Sequence, residues 1–419
     1  MEIHKKILLI LTIIIASIIL YRLWMSRIKI ENSPDQEIEG FTSNKLLSTN
    51  NANFALNQYF VKASWNTAYT GSVMDISMVM DVMHSGCRFL DFEIYSTEKV
   101  VGKDTKTSLS KKIIIPVVGF SNQKNNNYQM ESSGPNVKLL DVLTAISQNK
   151  FKDSTDPLFI QLRVKSANIE LYKSLLSIID ENSAFGNVIN RDYSFTNMQK
   201  KGKFIINELL SNLKDKVFLI ADFVNSDPMF ANILYKGVKN MIDDTDIGVK
   251  IDKIDDTKND YTELIKGYQD AFSLVTLKSQ YSRQLSSLSN QRVLLLPAKP
   301  YDIKPDGNIT FIKCPDTINN NVYNQSYPDF SMFNIANLDK LSVYSLVINH
   351  AIHIIPFRFY IDDNNLKDYE DIFTNNGNCA FIKMSSVMST YSDDLFKSVY
   401  SNNKIMFGDG NGLGSNFIE

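Results

Sequence analysis

The sequence predicts an α/β fold in which helices cover a mostly parallel sheet. Short β-type apolar runs alternate with helical patterns from about Phe60 to Phe223. This alternation is typical of a parallel sheet, because successive parallel strands need a long crossover connection, usually a helix. With 419 residues, 44% of them hydrophobic, the chain can form one large α/β domain or two smaller ones.

Five strands and three helices are predicted in this first part of the chain. The strands are 59–63, 89–95, 113–118, 158–164 and 217–221, and the helices are 74–84, 139–149 and 169–180. An acidic stretch follows at 241–263, where seven aspartates outnumber three lysines. We expect this stretch to be a loop or a solvated linker, because it offers little apolar surface to bury.

The first thirty residues carry the clearest non-globular feature. Lys5 and Lys6 precede an apolar run that starts at Ile7 and continues to Met25, interrupted by Arg22. Nineteen helical residues at about 1.5 Å each span roughly 28 Å, which is close to the thickness of a bilayer core. We therefore expect a single-pass transmembrane anchor over 1–27, in a host or virion membrane. A cleaved signal peptide is the alternative.

Composition limits the classes of partner. A net charge of −2 gives no electrostatic reason to expect a nucleic-acid partner. The three cysteines, Cys87, Cys314 and Cys379, are scattered, which is not the pattern of a disulfide framework or a paired metal site and suggests a reducing compartment. The basic residues are mostly lysine, which hints at an AT-rich genome such as that of a large virus or a protist.

Two short stretches carry a family resemblance. They read Ala63-Ser64-Trp65-Asn66-Thr67-Ala68-Tyr69-Thr70-Gly71 and Gly86-Cys87-Arg88-Phe89-Leu90-Asp91-Phe92-Glu93-Ile94-Tyr95. Together they resemble the opening of the X region of phosphoinositide-specific phospholipase C. Residues 156–162 and 213–220 are similar to later strands of the X half, and 352–359 and 376–384 are similar to the end of the Y half.

The resemblance implies a (β/α)8 TIM-type barrel that is split into two halves, and the apolar run adds one transmembrane helix before it. The predicted divisions are an anchor at 1–27, a polar tether at 28–56, an X-like half barrel at 57–225, an acidic linker at 226–270, a Y-like half barrel at 271–390 and a flexible Gly-rich tail at 391–419.

The resemblance also points to a position for calcium. Asn66 matches the asparagine ligand of the family, and Asp91 and Glu93 match a strand that carries two acidic ligands in the reverse order. Side chains alternate along a strand, so Asp91 and Glu93 face the same way. The fourth ligand of the family is a glutamate, which is replaced here by Arg163. Because a guanidinium repels calcium, we expect an internal ion-pair cluster instead of a metal, with calcium as the cofactor only of an active enzyme.

The catalytic positions of the family are occupied by other residue types. By the resemblance, two histidines act as base and acid, a role that suits a side chain with a pKa near 7. Trp65 and Val118 stand at these positions, and an indole N–H donates a hydrogen bond without exchanging protons. The phosphate-binding lysines of the family are replaced by Ile220 and Asp222, which leaves Arg163 as a weak candidate for contacting substrate.

The four histidines of the chain are His4, His84, His350 and His353, and we expect structural roles for His84, His350 and His353. The sequence therefore predicts a membrane-anchored pseudoenzyme with a phospholipase C-like barrel, in which Trp65, Val118 and Arg163 fill the former pocket. It would bind a protein or a membrane surface, with a phosphoinositide as a possible ligand. The alternatives are a divergent calcium-dependent phosphoric diester hydrolase acting on phosphatidylinositol lipids and a non-catalytic lipid-headgroup-binding module.

Overall fold

The computed structural model describes residues 49, 52–103, 110–121, 130, 132, 134–203, 205–223, 226–238, 259–278, 292–295, 301–303, 309–311, 322–325, 337, 339–341, 343–344, 347 and 352–391. These residues all belong to the second of two units of the chain, Lys45–Glu419. Within these ranges, no helix combines the length and the apolar character that a bilayer crossing requires. The predicted anchor at 1–27 lies outside them, as does the tail beyond residue 391.

Strands and helices alternate in the first half of the described chain. The strands are β1 (Tyr59–Val61), β2 (Phe89–Lys103), β3 (Ser110–Gly119), β4 (Val137–Lys138), β5 (Leu158–Val164), β6 (Val217–Asp222), β7 (Phe272–Lys278), β8 (Arg292–Leu295), β9 (Tyr301–Ile303), β10 (Ile309–Phe311), β11 (Val322–Gln325), β12 (Ile352–Ile354) and β13 (Phe381–Lys383). The helices are α1 (Ile76–His84), α2 (Leu139–Asn149), α3 (Ile169–Ile179), α4 (Phe195–Lys201), α5 (Leu210–Leu213), α6 (Pro228–Val238), α7 (Asn259–Ala271) and α8 (Asn364–Asn375).

Eleven of the strands form one sheet in the order β13-β1-β12-β11-β8-β7-β6-β5-β2-β3-β4. Five of its pairs are parallel, namely β1 with β12, β11 with β12, β2 with β5, β5 with β6, and β6 with β7. The other five pairs are antiparallel. The predicted α/β fold is therefore confirmed, but the sheet is mixed rather than mostly parallel. The strand order is linear, so a closed barrel is not seen. An isolated parallel bridge does join Ala63, just after β1, to Phe89 of β2.

The central strands are buried on both sides, which explains their nearly continuous apolar sequences. One side packs against the helices and includes Leu90, Phe92 and Ile94 of β2; we call it the helix face. The other side includes Phe89 of β2 and Phe159 of β5; we call it the inner face. Successive residues of a strand alternate between these two faces.

Part of the predicted acidic linker is helical. The structure places α6 and all but the last residue of α7 in the range 226–270, and α7 begins at Asn259, inside the stretch that we expected to be a loop. Leu264, Ile265 and Tyr268 of α7 are buried in the core, whereas Glu263 is exposed. The buried apolar residues have the spacing of an amphipathic helix. The sequence analysis missed this spacing because it relied on the charged composition of the stretch.

Candidate functional site

A cluster of polar side chains occupies the inner face, where the first residues of β2 lie beside the carboxyl end of β5. In the parallel ladder, Asp91 pairs with Gln161 and Glu93 pairs with Arg163. The turn that follows β1 adds Asn66 to this group. We call Asn66, Asp91, Glu93, Gln161 and Arg163 the charged cluster. All five residues are buried.

Arg163 is the centre of the charged cluster. Its Nε donates to Asp91 Oδ1 at 2.9 Å, and its Nη2 donates to Asp91 Oδ2 at 2.6 Å. Its Nη1 donates to Glu93 Oε1, and Nη2 also donates to Asn66 Oδ1. The planar guanidinium thus makes a bidentate contact with one carboxylate and still reaches two further oxygens, a geometry that lysine does not offer.

Further donors hold both carboxylates in place. Gln161 Nε2 donates to Asp91 Oδ1 at 2.9 Å, and the backbone N–H of Asn66 donates to Asp91 Oδ2 at 3.0 Å. The hydroxyl of Tyr95 donates to Glu93 Oε2 at 2.9 Å. Every carboxylate oxygen in the charged cluster therefore accepts at least one hydrogen bond, as buried charges require.

The electrostatics of the charged cluster keep Arg163 cationic. Burial lowers the pKa of Arg163, but the negative charges of Asp91 and Glu93 outweigh this effect and leave that pKa above its ordinary value. Burial raises the pKa of Asp91, and the charge and hydrogen bonds of Arg163 oppose that rise. Burial and the nearby Glu93 raise the pKa of Tyr95, so its hydroxyl remains a donor at neutral pH.

Trp65 covers one face of the guanidinium. The Cζ atom of Arg163 lies 3.8 Å from the centre of the Trp65 ring, a cation–π distance. The backbone N–H of Trp65 donates to the Phe357 carbonyl at 2.8 Å, which holds the residue against the segment that follows β12. The next residue, Asn66, has a φ of 48°, a left-handed conformation that asparagine tolerates better than most residues. The turn thus presents both side chains to Arg163.

Val118 lies on the opposite face from the charged cluster, which corrects the interpretation that it fills the same pocket. In the antiparallel ladder, Val118 pairs with Ile94, and both pack on the helix face. Glu93 pairs with Gly119 instead. Because paired residues share a face, a histidine at position 118 would point away from Trp65.

Gly119 and Tyr95 belong to the site, although the sequence analysis did not single out either residue. A Cβ atom on Gly119 would lie 2.6 Å from Tyr95 Cδ2 and 2.5 Å from Met130 Sδ. Glycine therefore lets these two side chains approach the strand closely beside Glu93. The detectable signal was the two-residue spacing of Tyr95 from Glu93, which puts both side chains on one face.

Ile220 and Asp222 are both fully buried on the inner face of β6. Ile220 pairs with Gln161 and packs with the apolar side chains of that face. Asp222 follows two residues later, and its charge contributes to the raised pKa of Arg163. Both side chains are shielded from solvent, so the two positions at which the resemblance would place phosphate-binding lysines belong here to the protein interior.

Neither described histidine lies at the charged cluster. His353 Nε2 is 2.9 Å from the Asn57 carbonyl oxygen, and Asn57 precedes β1, whereas Trp65 follows it. Burial lowers the pKa of His353 to about 3, so the ring is neutral. His84 ends α1 and lies 3.5 Å from Asp153, in the connection that leads into the amino end of β5. His4 and His350 lie outside the described residues.

The residues of the charged cluster do not fit calcium. Calcium takes six to eight oxygen ligands, and the side-chain oxygens that point to the centre of the cluster accept hydrogen bonds from Arg163 instead. A guanidinium in that position also repels a divalent cation. In the described part of the chain, no group of three or more histidine, cysteine, aspartate or glutamate side chains has an arrangement that could hold a metal ion.

Residues 52–219 match the family model described as "Phosphatidylinositol-specific phospholipase C, X domain". This segment belongs to the phosphatidylinositol-specific phospholipase C-like family. The phospholipase C-like segment contains β1 to β5, the start of β6 and all five residues of the charged cluster. The Y-like half at 271–390 and the other predicted divisions stay predictions. No curated protein matches the chain.

Solved phospholipase C structures resemble the chain weakly. PLC21 of L. pealei is 12% identical over 80% of this chain and 37% of its own, with a TM-score of 0.41. PLC21 of S. officinalis is 20% identical over 41% of this chain and 19% of its own, with a TM-score of 0.28. A calcium-dependent phosphoinositol-specific phospholipase C from a Pseudomonas species is 16% identical over 53% of this chain and 72% of its own, with a TM-score of 0.29. The chain thus spans well under half the length of either PLC21, and TM-scores this low do not establish a shared whole-chain fold.

Proposed function

We propose that this chain is a phospholipase C-like protein that does not cleave phosphodiesters and acts instead as a binding or structural protein. The observation that carries the proposal is the contact between Trp65 and Arg163. By the resemblance, Trp65 stands where the family has a catalytic histidine, and Arg163 stands where it has a metal ligand. An indole does not exchange protons at neutral pH, and a guanidinium does not bind calcium.

The surrounding groups support the same proposal. Phosphodiester cleavage by general acid–base catalysis needs groups that gain and lose protons near neutral pH. Arg163 and Tyr95 have raised pKa values, and the oxygens of Asp91 and Glu93 are engaged in hydrogen bonds. In the described part of the chain, no histidine compensates for the loss, since His353 contacts the Asn57 carbonyl, ahead of β1, and His84 lies beside Asp153, ahead of β5.

Other parts of the sequence prediction are also proposals. A closed barrel is supported by the bridge from Ala63 to Phe89 and by the hydrogen bond from Ser64 N–H to the Phe89 carbonyl at 2.9 Å. A membrane anchor at 1–27 is supported by its apolar run, and a viral source by the preference for lysine over arginine. The proposed partners are the membrane and a protein, with a phosphoinositide as the candidate ligand.

The test is hydrolysis of phosphatidylinositol and its phosphorylated forms by the purified full chain, with and without calcium, next to an active phospholipase C. We expect no release of the headgroup by the folded protein. Calcium-dependent release by the unmodified chain would overturn the proposal and favour the divergent hydrolase. Binding to phosphoinositide vesicles without release would favour the headgroup-binding module among the non-catalytic roles.

Matched variants locate the cause of the inactivity. A Trp65→His, Arg163→Glu double variant restores two of the residue types that the family carries at these positions. Val118→His, added to the double variant, is the control, because that position faces the helices. Any activity gained by the double variant should therefore not increase when Val118→His is added.

A further inference from the structure

We infer that Arg163 is a built-in cation, whose guanidinium organises the carboxylates of the site in place of a bound metal ion. The inference deepens the proposed function and rests on it for the identity of the site. Its first support is the number of oxygens that converge on one group. Four oxygens from three side chains, Asn66, Asp91 and Glu93, accept hydrogen bonds from the guanidinium.

The charges show why a cation is needed at this position. Asp91 and Glu93 are two residues apart on one face of β2, and both are buried. Two buried carboxylates repel each other, and their removal from water is unfavourable unless a positive charge compensates them. Arg163 lies between them with a side chain that is only 2% exposed, so it supplies this charge from within the chain.

The guanidinium also determines the shape of the site. Its Nη2 donates to Asn66 Oδ1, and the backbone N–H of Asn66 binds the Asp91 carboxylate that Nη2 also contacts. These bonds tie the turn after β1 to β2 and β5, and they support the left-handed backbone of Asn66. Trp65 closes one face of the guanidinium plane. A metal ion that bridged the same three oxygen-bearing side chains would perform the same mechanical task.

Removal of the guanidinium should therefore leave a vacancy that suits a hard cation. The remaining donors are an amide oxygen and two carboxylates, the ligand types that calcium prefers, with space for water where the guanidinium was. Calcium should not change the stability of the unmodified chain, whereas it should stabilise the Arg163→Ala variant. A ligand at a hundred times its Kd raises the ratio of folded to unfolded protein about a hundredfold.

The experiment is thermal unfolding of the full chain in excess chelator and in excess calcium. We expect no shift of Tm for the unmodified protein, and a lowered Tm for Arg163→Ala that calcium raises again. Arg88→Ala is the matched control, because Arg88 is also a buried arginine but donates to the carbonyls of Lys150 and Ser154 rather than to carboxylates. Calcium should not restore the Tm of this variant.

Terbium provides a second readout that does not require Arg163→Ala to fold. Terbium occupies calcium sites, and a nearby tryptophan such as Trp65 sensitises its emission. We expect no emission sensitised by Trp65 from the unmodified chain or from Arg163→Lys, which keeps a positive charge. Such emission from the unmodified chain, or a calcium shift of its Tm, would overturn the inference. A folded Arg163→Ala variant that ignores both metals would overturn it as well.

The measurements separate this inference from the proposed function. Tm and terbium emission report on the cation, whereas headgroup release reports on catalysis. A chain that is stabilised by calcium but releases no headgroup would refute the built-in cation and leave the proposed function standing. A chain that ignores both metals and still hydrolyses the lipid would refute the proposed function and leave the cation assignment standing.

Discussion

The guanidinium of Arg163 lies against the ring of Trp65, with 3.8 Å between Cζ and the ring centre. The edge of the guanidinium meanwhile donates to Asp91 and Glu93. Arginine has both a flat face and an edge of N–H donors, so it can stack on an aromatic ring and bind carboxylates at once. Trp65 thus contacts the charged cluster through Arg163 and does more than fill space.

Truncation of Trp65 should destabilise the fold strongly. Trp65→Ala should cost about 3–5 kcal/mol in the free energy of unfolding, because it removes a large, fully buried side chain. Trp65→Phe should cost less, since it keeps an aromatic face over Arg163. Urea unfolding of both variants measures the difference. Equal costs for the two substitutions would show that the aromatic face contributes nothing.

Asp91→Asn should cost about 3–5 kcal/mol in the free energy of unfolding, because it leaves Arg163 with an incompletely compensated buried charge. The comparison is Glu98→Gln, which breaks the pair with Lys112 on the surface, where both side chains are about half exposed. An exposed pair of this kind contributes about 1 kcal/mol or less. Chemical denaturation at neutral pH measures both variants, and similar costs would contradict the assignment of Asp91 to a buried ion pair.

Gly119→Ala should disturb the contact of Tyr95 with Glu93. The new methyl group would collide with the Tyr95 ring and with Met130, at a cost of about 1–3 kcal/mol for overpacking. The cost should become smaller in a Tyr95→Ala background, where part of the obstruction is gone. A double-mutant cycle in urea measures this coupling, and purely additive costs would count against the close approach at Gly119.

Acid should weaken the fold through His353. Its pKa is lowered by burial from 6.5 to about 3, so between these values the unfolded chain binds a proton that the folded chain does not. Stability should therefore fall as the pH falls through this window, by up to about 1.4 kcal/mol per pH unit. His353→Gln removes the titration but keeps a donor for the Asn57 carbonyl.

The His353 prediction is checked by urea unfolding between pH 7 and pH 3. The difference in stability between the unmodified chain and His353→Gln should change steadily across this range. His84→Gln is the control, because the side chain of His84 is 46% exposed. A constant difference between the unmodified chain and His353→Gln would show that His353 does not contribute to the acid sensitivity.

Local patterns predicted much of the fold and part of the site. The bounds of β5 and α2 match their predictions, since one is a continuous apolar run and the other has clear helical spacing. The common face of Asp91 and Glu93 followed from the two-residue period of a strand. These features depend on neighbouring residues alone, so they are visible in the sequence.

The face occupied by Val118 could not be predicted in the same way. It depends on the register between β3 and β2, in which Val118 pairs with Ile94 rather than with Glu93. A shift of one residue in pairing moves every side chain to the other face. The motif matched the strand but did not specify its register, because register is set by the contacts of two strands along their whole length.

The covalent attachment of the Arg163 guanidinium has a consequence for signalling. A diffusible ion occupies its site in proportion to its concentration, and so it can carry information about the state of a cell. A cation that is part of a side chain has no such concentration, and its position is filled whenever the chain is folded. A site organised around Arg163 would therefore keep the same arrangement whatever the calcium concentration around the protein.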